Sequence, residues 1–473
     1  MAFQVFDTLA KEKRPFEPLE SGVVRMYNCG PTVYGRAHVG NLRTFLFADT
    51  LRRWLEVSGY RVRQVMNITD VGHLQNDADE GEDKIEAQAR RERRDPWEIS
   101  RGFTQLFLDD VRELRFLEPA VRPRASEHVP EMLEIIDGLI ERGYAYQVDG
   151  DVYFEVARFP RYGRLSGNRV EELDAGARIE VREEKRHPAD FALWKSDPRH
   201  LMKWQSRFGP DGFPGWHIEC SAMARKHLGD RIDIHTGGED NIFPHHECEI
   251  AQTEAFTGQP FANYWMHAKF LQVDGGKMSK SLGNVWSLDD VKQRGFSPRV
   301  LRFALIRGHY RGPLNFTWGI LDEAGSALAK LDELTGDVQA AARGERAAAD
   351  PRAGATALAA ARERFDQGMD DDLNVPQALS ALFELRSAFL ADGLGREAAR
   401  DAQAFLARAD AVLGVLRLEE ATLDERMRRL IAERAEARAR KDWAASDRIR
   451  DEIAALGVVL QDTPEGVVWR RRE

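Results

Sequence analysis

Residues 22–68 place the tightest constraint on the fold. The stretch 22–29 (GVVRMYNC) reads as a short apolar strand closed by Gly30-Pro31. Phe47, Leu51, Trp54 and Leu55 then recur at helical spacing over 41–58, Gly59 stops that helix, and 61–68 (RVRQVMNI) reads as a second strand. A strand–helix–strand unit normally means parallel strands joined by a right-handed crossover. A second unit is predicted far downstream. It comprises a strand over 232–235, a loop at Thr236-Gly237-Gly238, a helix over 245–256 opened by Pro244, and a strand over 264–273. Two halves of a doubly wound parallel sheet are therefore expected to flank an insertion over about 122–214.

The expected fold class is α/β. A Rossmann-like parallel-sheet domain with an insertion spans 1–319, a helical bundle 320–417 and a small C-terminal α/β module 424–473. Within the bundle, 336–354 is of low complexity and reads as a mobile connection. In the last module Leu423, Met427, Leu430 and Ile431 line one helix face, and Ile449, Ile453 and Leu456 line another.

Charge and cysteine content narrow the function classes. The net charge of −10 argues against nucleic-acid binding by bulk positive charge, but residues 424–473 carry 12 Lys/Arg against 11 Asp/Glu. That +1 segment leaves −11 for the rest, so the last module is the least acidic part. Three cysteines cannot build a disulfide framework and point to a reducing compartment. The first 18 residues lack the apolar core of a signal peptide, and the longest charge-free window, 255–268, is too short to span a bilayer. A cytoplasmic protein with no membrane partner is expected.

Two short segments carry phosphate chemistry. His38-Val39-Gly40-Asn41 lies in the turn between the first strand and its helix. Glycine there admits close approach of a phosphate, the helix N-terminus offers unpaired N–H groups, and an imidazole can donate to a phosphoryl oxygen. Lys277-Met278-Ser279-Lys280-Ser281 places two lysines three apart on a Gly-flanked loop, within reach of a triphosphate. In this order on the two halves of one sheet, HVGN and KMSKS resemble the HIGH and KMSKS signatures of class I aminoacyl-tRNA synthetases. The second matches unchanged; the first departs at Val39 and at Asn41, which replaces the second histidine. The resemblance implies that His38, Asn41, Lys277 and Lys280 are catalytic, and that these four with Gly40 bind ATP.

The cysteines point to the amino acid. Cys29 ends the first strand, Cys220 lies in WHIECSAM (216–223) and Cys248 in FPHHEC (243–248). His245 and Glu249, four apart, share a helix face. Two thiolates, an imidazole and a carboxylate converging would suit zinc, although scattered ligands are a weaker signal than paired CxxC motifs, and buried inert cysteines are the alternative. Together with CGPTVY at 29–34, these segments resemble the cysteinyl-tRNA synthetase family from Val5 to Arg471. The resemblance implies a zinc held by Cys29, Cys220, His245 and Glu249 in the amino-acid pocket. Cys248 is three residues from His245 and competes geometrically, but the family usually has asparagine there. His246 points about a quarter-turn away from His245 and reads as a residue that backs the ligands or shapes the helix start. Gly30, Thr32, Trp216 and Asp240 match positions beside the bound cysteine, with core packing the alternative for Trp216 and a helix cap for Asp240. Zinc favours a thiolate over a serine hydroxyl, a discrimination that a plain pocket achieves poorly.

The family reading further implies a helical bundle over 320–417 and an anticodon-reading module. In that module Arg440, Lys441 and Arg470 would meet phosphates and Trp443 or Trp469 a base, with core packing the preferred reading for Trp443. It also implies Mg-ATP, L-cysteine and tRNA(Cys) as substrates, and a monomer. Two rivals are a ligase passing cysteine to an amino-sugar inositol, which has no use for the last fifty residues, and a non-catalytic paralogue.

Overall fold

The structure is a computed structural model that describes residues 2–74, 81–169, 185–278, 283–418, 425–456, 458–463 and 466–471. An N-terminal hairpin, β1 (Gln4–Asp7) and β2 (Glu12–Pro15), leads into β3 (Val23–Asn28), α1 (Val39–Val57) and β4 (Arg61–Met66). Helices α2 (Lys84–Glu92), α3 (Pro96–Glu113) and α4 (Val129–Glu141) follow. Strands β5 (Ala145–Val148), β6 (Asp151–Phe154), β7 (Phe191–Ser196), β8 (Trp204–Ser206) and β9 (Gly209–Pro214) form an antiparallel sheet ordered β5-β6-β7-β9-β8. The chain then returns through α5 (Ile218–Leu228), β10 (Ile232–Gly238), α6 (Glu247–Thr257) and β11 (Ala262–Ala268).

The central sheet is ordered β11-β10-β3-β4 and is parallel throughout. From β3 the chain winds outward through α1 to β4, and from β10 it winds the opposite way through α6 to β11. The strand order therefore reverses between β3 and β10, which opens a crevice at their carboxyl ends. Strand β10 (IDIHTGG) is buried along its whole length, as a central parallel strand covered on both faces must be. The expected loop at Thr236-Gly237-Gly238 is part of this strand, because Thr236, Gly237 and Gly238 pair in register with Met266, His267 and Ala268 of β11. The expected strand over 264–273 divides into β11 and a separate β12 (Leu271–Val273), which pairs with β13 (Gly276–Lys277) and β14 (Leu314–Phe316).

Helices α7 (Leu288–Gln293) and α8 (Pro298–Ile306) precede a bundle of α9 (Trp318–Arg343), α10 (Pro351–Asp370), α11 (Val375–Asp392) and α12 (Arg396–Leu413). The mobile connection expected over 336–354 is mostly helix. Leu334, Val338 and Ala341 bury one face of α9, which outweighs the roughly 1 kcal/mol that Gly336 costs in a helix. Only 344–350 link the two helices, and Asp350 caps α10 through the Arg352 and Ala353 amides with Pro351 in its first turn.

A buried charge cluster joins this bundle to the sheet domain. Arg302 on α8 is fully buried and donates to the Asp49 carboxylate of α1 (2.7 Å), to the Leu413 carbonyl ending α12 (2.7 Å) and to the Leu114 carbonyl (2.8 Å). Asp49 also accepts from Arg53 Nε (2.7 Å) and the Leu117 amide (2.8 Å).

The last module contains α13 (Glu425–Ala439), α14 (Trp443–Ala455) and a hairpin of β15 (Val458–Thr463) and β16 (Gly466–Arg471). Met427, Leu430, Ile453 and Val458 form its core, with Ile431 and Ile449 against them. Leu456 is exposed, contrary to expectation, because it lies beyond the last turn of α14; Leu423 falls outside the described residues.

Candidate active site and metal centre

The four expected metal ligands gather at the crevice between β3 and β10. Cys29 follows β3, and its amide donates to the Thr236 carbonyl of β10 (3.2 Å). Cys220 sits on α5 and Glu249 on α6. His245 lies in a π-turn over Ile242–His246, not in the regular helix expected from 245 onward, since Phe243 has extended backbone angles. The four-residue relation survives: His245 Nε2 is 3.2 Å from Glu249 Oε1. One ligand atom from each of Cys29, Cys220, His245 and Glu249 lies within 4.8 Å of the other three, and all four residues are buried.

This donor set fits a divalent cation. Burial pushes the Cys29 thiol well above its ordinary range, reinforced by Cys220 and Glu249, and pushes Cys220 and Glu249 up as well. Three groups that would each become anions are thus held together away from water, a situation that a dication relieves. Two sulfurs, one nitrogen and one carboxylate oxygen are the donors zinc takes in tetrahedral sites.

A histidine network backs the cluster. His235 Nε2 meets Glu249 Oε2 at 2.8 Å, and His246 Nε2 lies 3.2 Å from Cys29 Sγ. His246 Nδ1 bonds His267 Nε2 (2.8 Å), whose Nδ1 bonds Thr8 Oγ1 (2.8 Å). His217 and His245 face each other through their Nδ1 atoms at 2.9 Å. Burial pushes His246 well below the usual imidazole range and His267 down to about 3, so both rings are neutral. His246 thus backs the ligand set from behind, in contact with Cys29. Cys29, His235, His246 and Glu249 also form a second compact set, overlapping the first at two members. Cys248 faces Tyr162 OH at 3.4 Å and belongs to neither set.

The sequence reading missed His235, His267, His217 and His73. For His235 and His267 the available signal was a histidine inside a strand buried along nearly all its length, where a polar ring has no solvent to face.

Of the residues expected beside the amino acid, Gly30, Thr32 and Trp216 neighbour this cluster, and Asp240 follows β10. Gly30 packs its backbone against Asn67 so closely that a Cβ would lie 1.7 Å from the Asn67 carbonyl oxygen, and its amide donates to Asn67 Oδ1 (2.8 Å). Trp216 is half-buried and stacks on His73 (4.1 Å between ring centroids) and on His245 (4.5 Å). Asp240 is exposed at the end of β10, its carboxylate folded over Gly238. Thr32 Oγ1 lies 2.9 Å from His73 Nδ1.

His38 and Asn41 cap α1 reciprocally. The Asn41 amide donates to His38 Nδ1, and the His38 amide donates to Asn41 Oδ1, both at 3.2 Å. The Val39 amide donates to the Trp286 carbonyl (2.8 Å), and a Cβ on Gly40 would lie 3.0 Å from Met278 Cε. The HVGN turn thus lies against Met278 of the KMSKS segment and against Trp286 beyond it. Lys277 closes β13, and Ser279, Lys280 and Ser281 lie outside the described residues. In the last module Trp443 is exposed at the start of α14 with the Arg438 guanidinium 5.9 Å from its ring, so it is not the core residue expected. Trp469 and Arg470 belong to β16.

Comparison with known proteins agrees with this arrangement. Residues 15–326 match the family of tRNA synthetases class I (C) catalytic domains, 364–417 match the DALR domain, and 420–470 match the cysteinyl-tRNA ligase anticodon binding domain. The chain is 46% identical to the cysteine–tRNA ligase of Chlorobium luteolum, with 100% of this chain and 99% of that protein covered. It is 47% identical to a cysteine–tRNA ligase of Thermus thermophilus, with 99% of each covered. Among solved structures it resembles methionyl-tRNA synthetase of Mycobacterium tuberculosis in complex with methionyl-adenylate. The TM-score is 0.60 at 15% identity over 84% of this chain and 88% of that one, a likeness of fold. Matched at this level along essentially its whole length, the chain belongs to the cysteine–tRNA ligase family of class I aminoacyl-tRNA synthetases.

Proposed function

We propose that this chain is a cysteine–tRNA ligase that activates L-cysteine with Mg-ATP and transfers it to the 3′ end of tRNA(Cys). The observation that carries the reading is the convergence of Cys29, Cys220, His245 and Glu249 in the crevice beside Gly30 and Thr32. Cys29, Cys220, His245 and Glu249 would hold zinc, which when bound supplies a Lewis acid that keeps the substrate sulfur as thiolate. Asp240 accepts hydrogen bonds from the substrate ammonium and the ribose, and Trp216 closes over the side chain. One carboxylate oxygen attacks the α-phosphorus of ATP in line, the bond to pyrophosphate breaks, and cysteinyl-adenylate forms. His38, Lys277 and Lys280 donate to phosphoryl oxygens as charge moves onto pyrophosphate, with Gly40 and Asn41 shaping the turn. A terminal ribose hydroxyl of the tRNA then takes the cysteinyl group, and AMP leaves. Residues 1–319 do this chemistry, 320–417 form the helical bundle that follows them, and 424–473 read the anticodon. The protein acts as a monomer in the cytoplasm; no helix among the described residues is long and apolar enough to cross a membrane.

The test is cysteine-dependent pyrophosphate–ATP exchange, with serine in parallel and bound zinc quantified. Exchange with cysteine only, lost together with zinc in Cys220→Ser, is expected. No exchange from a protein holding one zinc per chain would overturn the reading. Removing 424–473 should abolish tRNA charging and spare exchange; exchange without any tRNA charging by the full chain would favour a small-molecule acceptor such as an amino-sugar inositol.

A further inference from the structure

Three side chains outside the metal cluster form a relay that ends at the amino-acid pocket. Lys84 opens α2, and its Nζ lies 2.7 Å from His73 Nε2. His73 Nδ1 lies 2.9 Å from Thr32 Oγ1. The His73 ring is only 6% exposed and is held in plane by Trp216, whose ring stacks on it with a 12° tilt. The ends of the relay are fixed by backbone. Lys84 N–H donates to the His73 carbonyl (3.0 Å), Thr69 N–H donates to the Pro31 carbonyl (3.0 Å), and Val33 N–H donates to the Thr69 carbonyl (3.1 Å). Helix α2 is itself anchored on the insertion, where Glu86 Oε1 accepts from the Leu201 (2.7 Å) and Met202 (3.2 Å) amides.

The donor inventory fixes the direction of each bond. An ammonium has three hydrogens and no lone pair, so His73 Nε2 must accept from Lys84. The neutral ring then carries its hydrogen on Nδ1, which donates to Thr32 Oγ1. With one lone pair of that oxygen occupied, the hydroxyl hydrogen points away from His73 and is left for another acceptor. An amino acid seated there with its sulfur toward Cys29 and Cys220 offers one donor-only group, the ammonium, and one acceptor-only group, the carboxylate. An outward O–H matches the carboxylate.

We propose that Lys84, acting through His73, is a positioning residue that turns the Thr32 hydroxyl outward as a hydrogen-bond donor to the carboxylate of the bound amino acid. This rests on the reading of Thr32 as a residue beside bound cysteine. One oxygen of the carboxylate is held by Thr32 while the other faces the α-phosphorus, so the relay orients the nucleophile. It also ties the pocket to the insertion through α2.

The test compares Lys84→Met, Lys84→Arg, Thr32→Val and the Lys84→Met/Thr32→Val double variant in the full chain. The readouts are KM for cysteine and for ATP in exchange, and inhibition by cysteamine, which keeps the thiol and amine but lacks the carboxylate. A hydrogen bond to a charged group predicts that KM for cysteine rises about tenfold to a hundredfold in Lys84→Met and in Thr32→Val. The Ki of cysteamine and KM for ATP should stay put, since a misfolded pocket would move all three. Lys84→Arg, which still presents a cation with donors only, should restore most of the loss. The double variant should be no worse than Thr32→Val alone, because both act through one hydroxyl. A response in Thr32→Val without one in Lys84→Met, or additive effects, overturns the relay. An unchanged ratio of cysteine to cysteamine affinity in Thr32→Val overturns the placement of Thr32 itself.

Discussion

Replacing Asp49 by asparagine should loosen the joint between the sheet domain and the bundle. The Asp49 carboxylate is buried and holds two guanidiniums, Arg302 and Arg53, each at 2.7 Å. Burial pushes this carboxyl up, but Arg302 and Arg53 outweigh it and hold it below the ordinary carboxylate value of 3.8. Its stabilising contribution is therefore present above that value and is lost as pH falls through the lower folded-state value. Asparagine keeps an acceptor for the Leu117 amide but leaves Arg302, itself fully buried, without its counter-charge. Removing one member of a buried pair costs about 3–5 kcal/mol. That is a large share of the roughly 5–15 kcal/mol that holds a domain folded. The domains of this chain need not unfold together, so the assay of choice is amide hydrogen exchange along α1. Exchange at 46–53 should quicken by about a hundredfold or more. Asp49→Leu combined with Arg302→Met and Arg53→Met, which removes all three charges at similar volume, should cost less than Asp49→Asn alone. A loss below about 1 kcal/mol in Asp49→Asn would refute the view that this cluster is an electrostatic joint and reduce it to packing.

Gly30→Ala should abolish cysteine activation, by on the order of a hundredfold or more. The new Cβ would lie 1.7 Å from the Asn67 carbonyl oxygen, so the pocket loop must shift; near-normal exchange would show that the close approach is not needed. His267 contributes a pH dependence with a definite sign. Its folded-state value of about 3 lies below the ordinary 6.5, so the unfolded chain binds the proton first and stability falls as pH drops from 6.5 toward 3. The slope from this one group is about 1.4 kcal/mol per pH unit. His267→Asn should remove it, read as a smaller difference in urea midpoint between pH 7.5 and pH 5; equal differences would mean the ring is not held neutral.

The parts of this molecule that were legible in the sequence are those where a local pattern has one structural answer. The apolar stripe Phe47, Leu51, Trp54 and Leu55 became α1 between parallel β3 and β4, and the second strand–helix–strand unit became β10, α6 and β11. The set Cys29, Cys220, His245 and Glu249 was readable only through family resemblance, because those residues lie on four separate elements. What stayed hidden depends on register. Thr236-Gly237-Gly238 has loop composition, yet pairing with Met266, His267 and Ala268 makes it strand. Gly336 in an Ala- and Arg-rich run looks like a linker until the burial of Leu334 and Val338 is known. The buried histidines are hard to interpret one at a time, since their partners lie on other segments: Glu249 for His235, His246 and Thr8 for His267, Thr32 and Lys84 for His73. The start of α10 was within reach, because Asp350-Pro351 is a cap followed by a first-turn proline.

The way α1 begins accounts for the departure from HIGH. The hydrogen that reaches His38 Nδ1 comes from the main-chain amide of residue 41, not from its side chain. That nitrogen must keep its lone pair, so in the neutral ring the proton resides on Nε2. The tautomer of His38 is therefore chosen by the polypeptide backbone, and every residue except proline at position 41 makes the same choice. Asparagine can stand where the signature has histidine without altering which nitrogen of His38 carries the hydrogen.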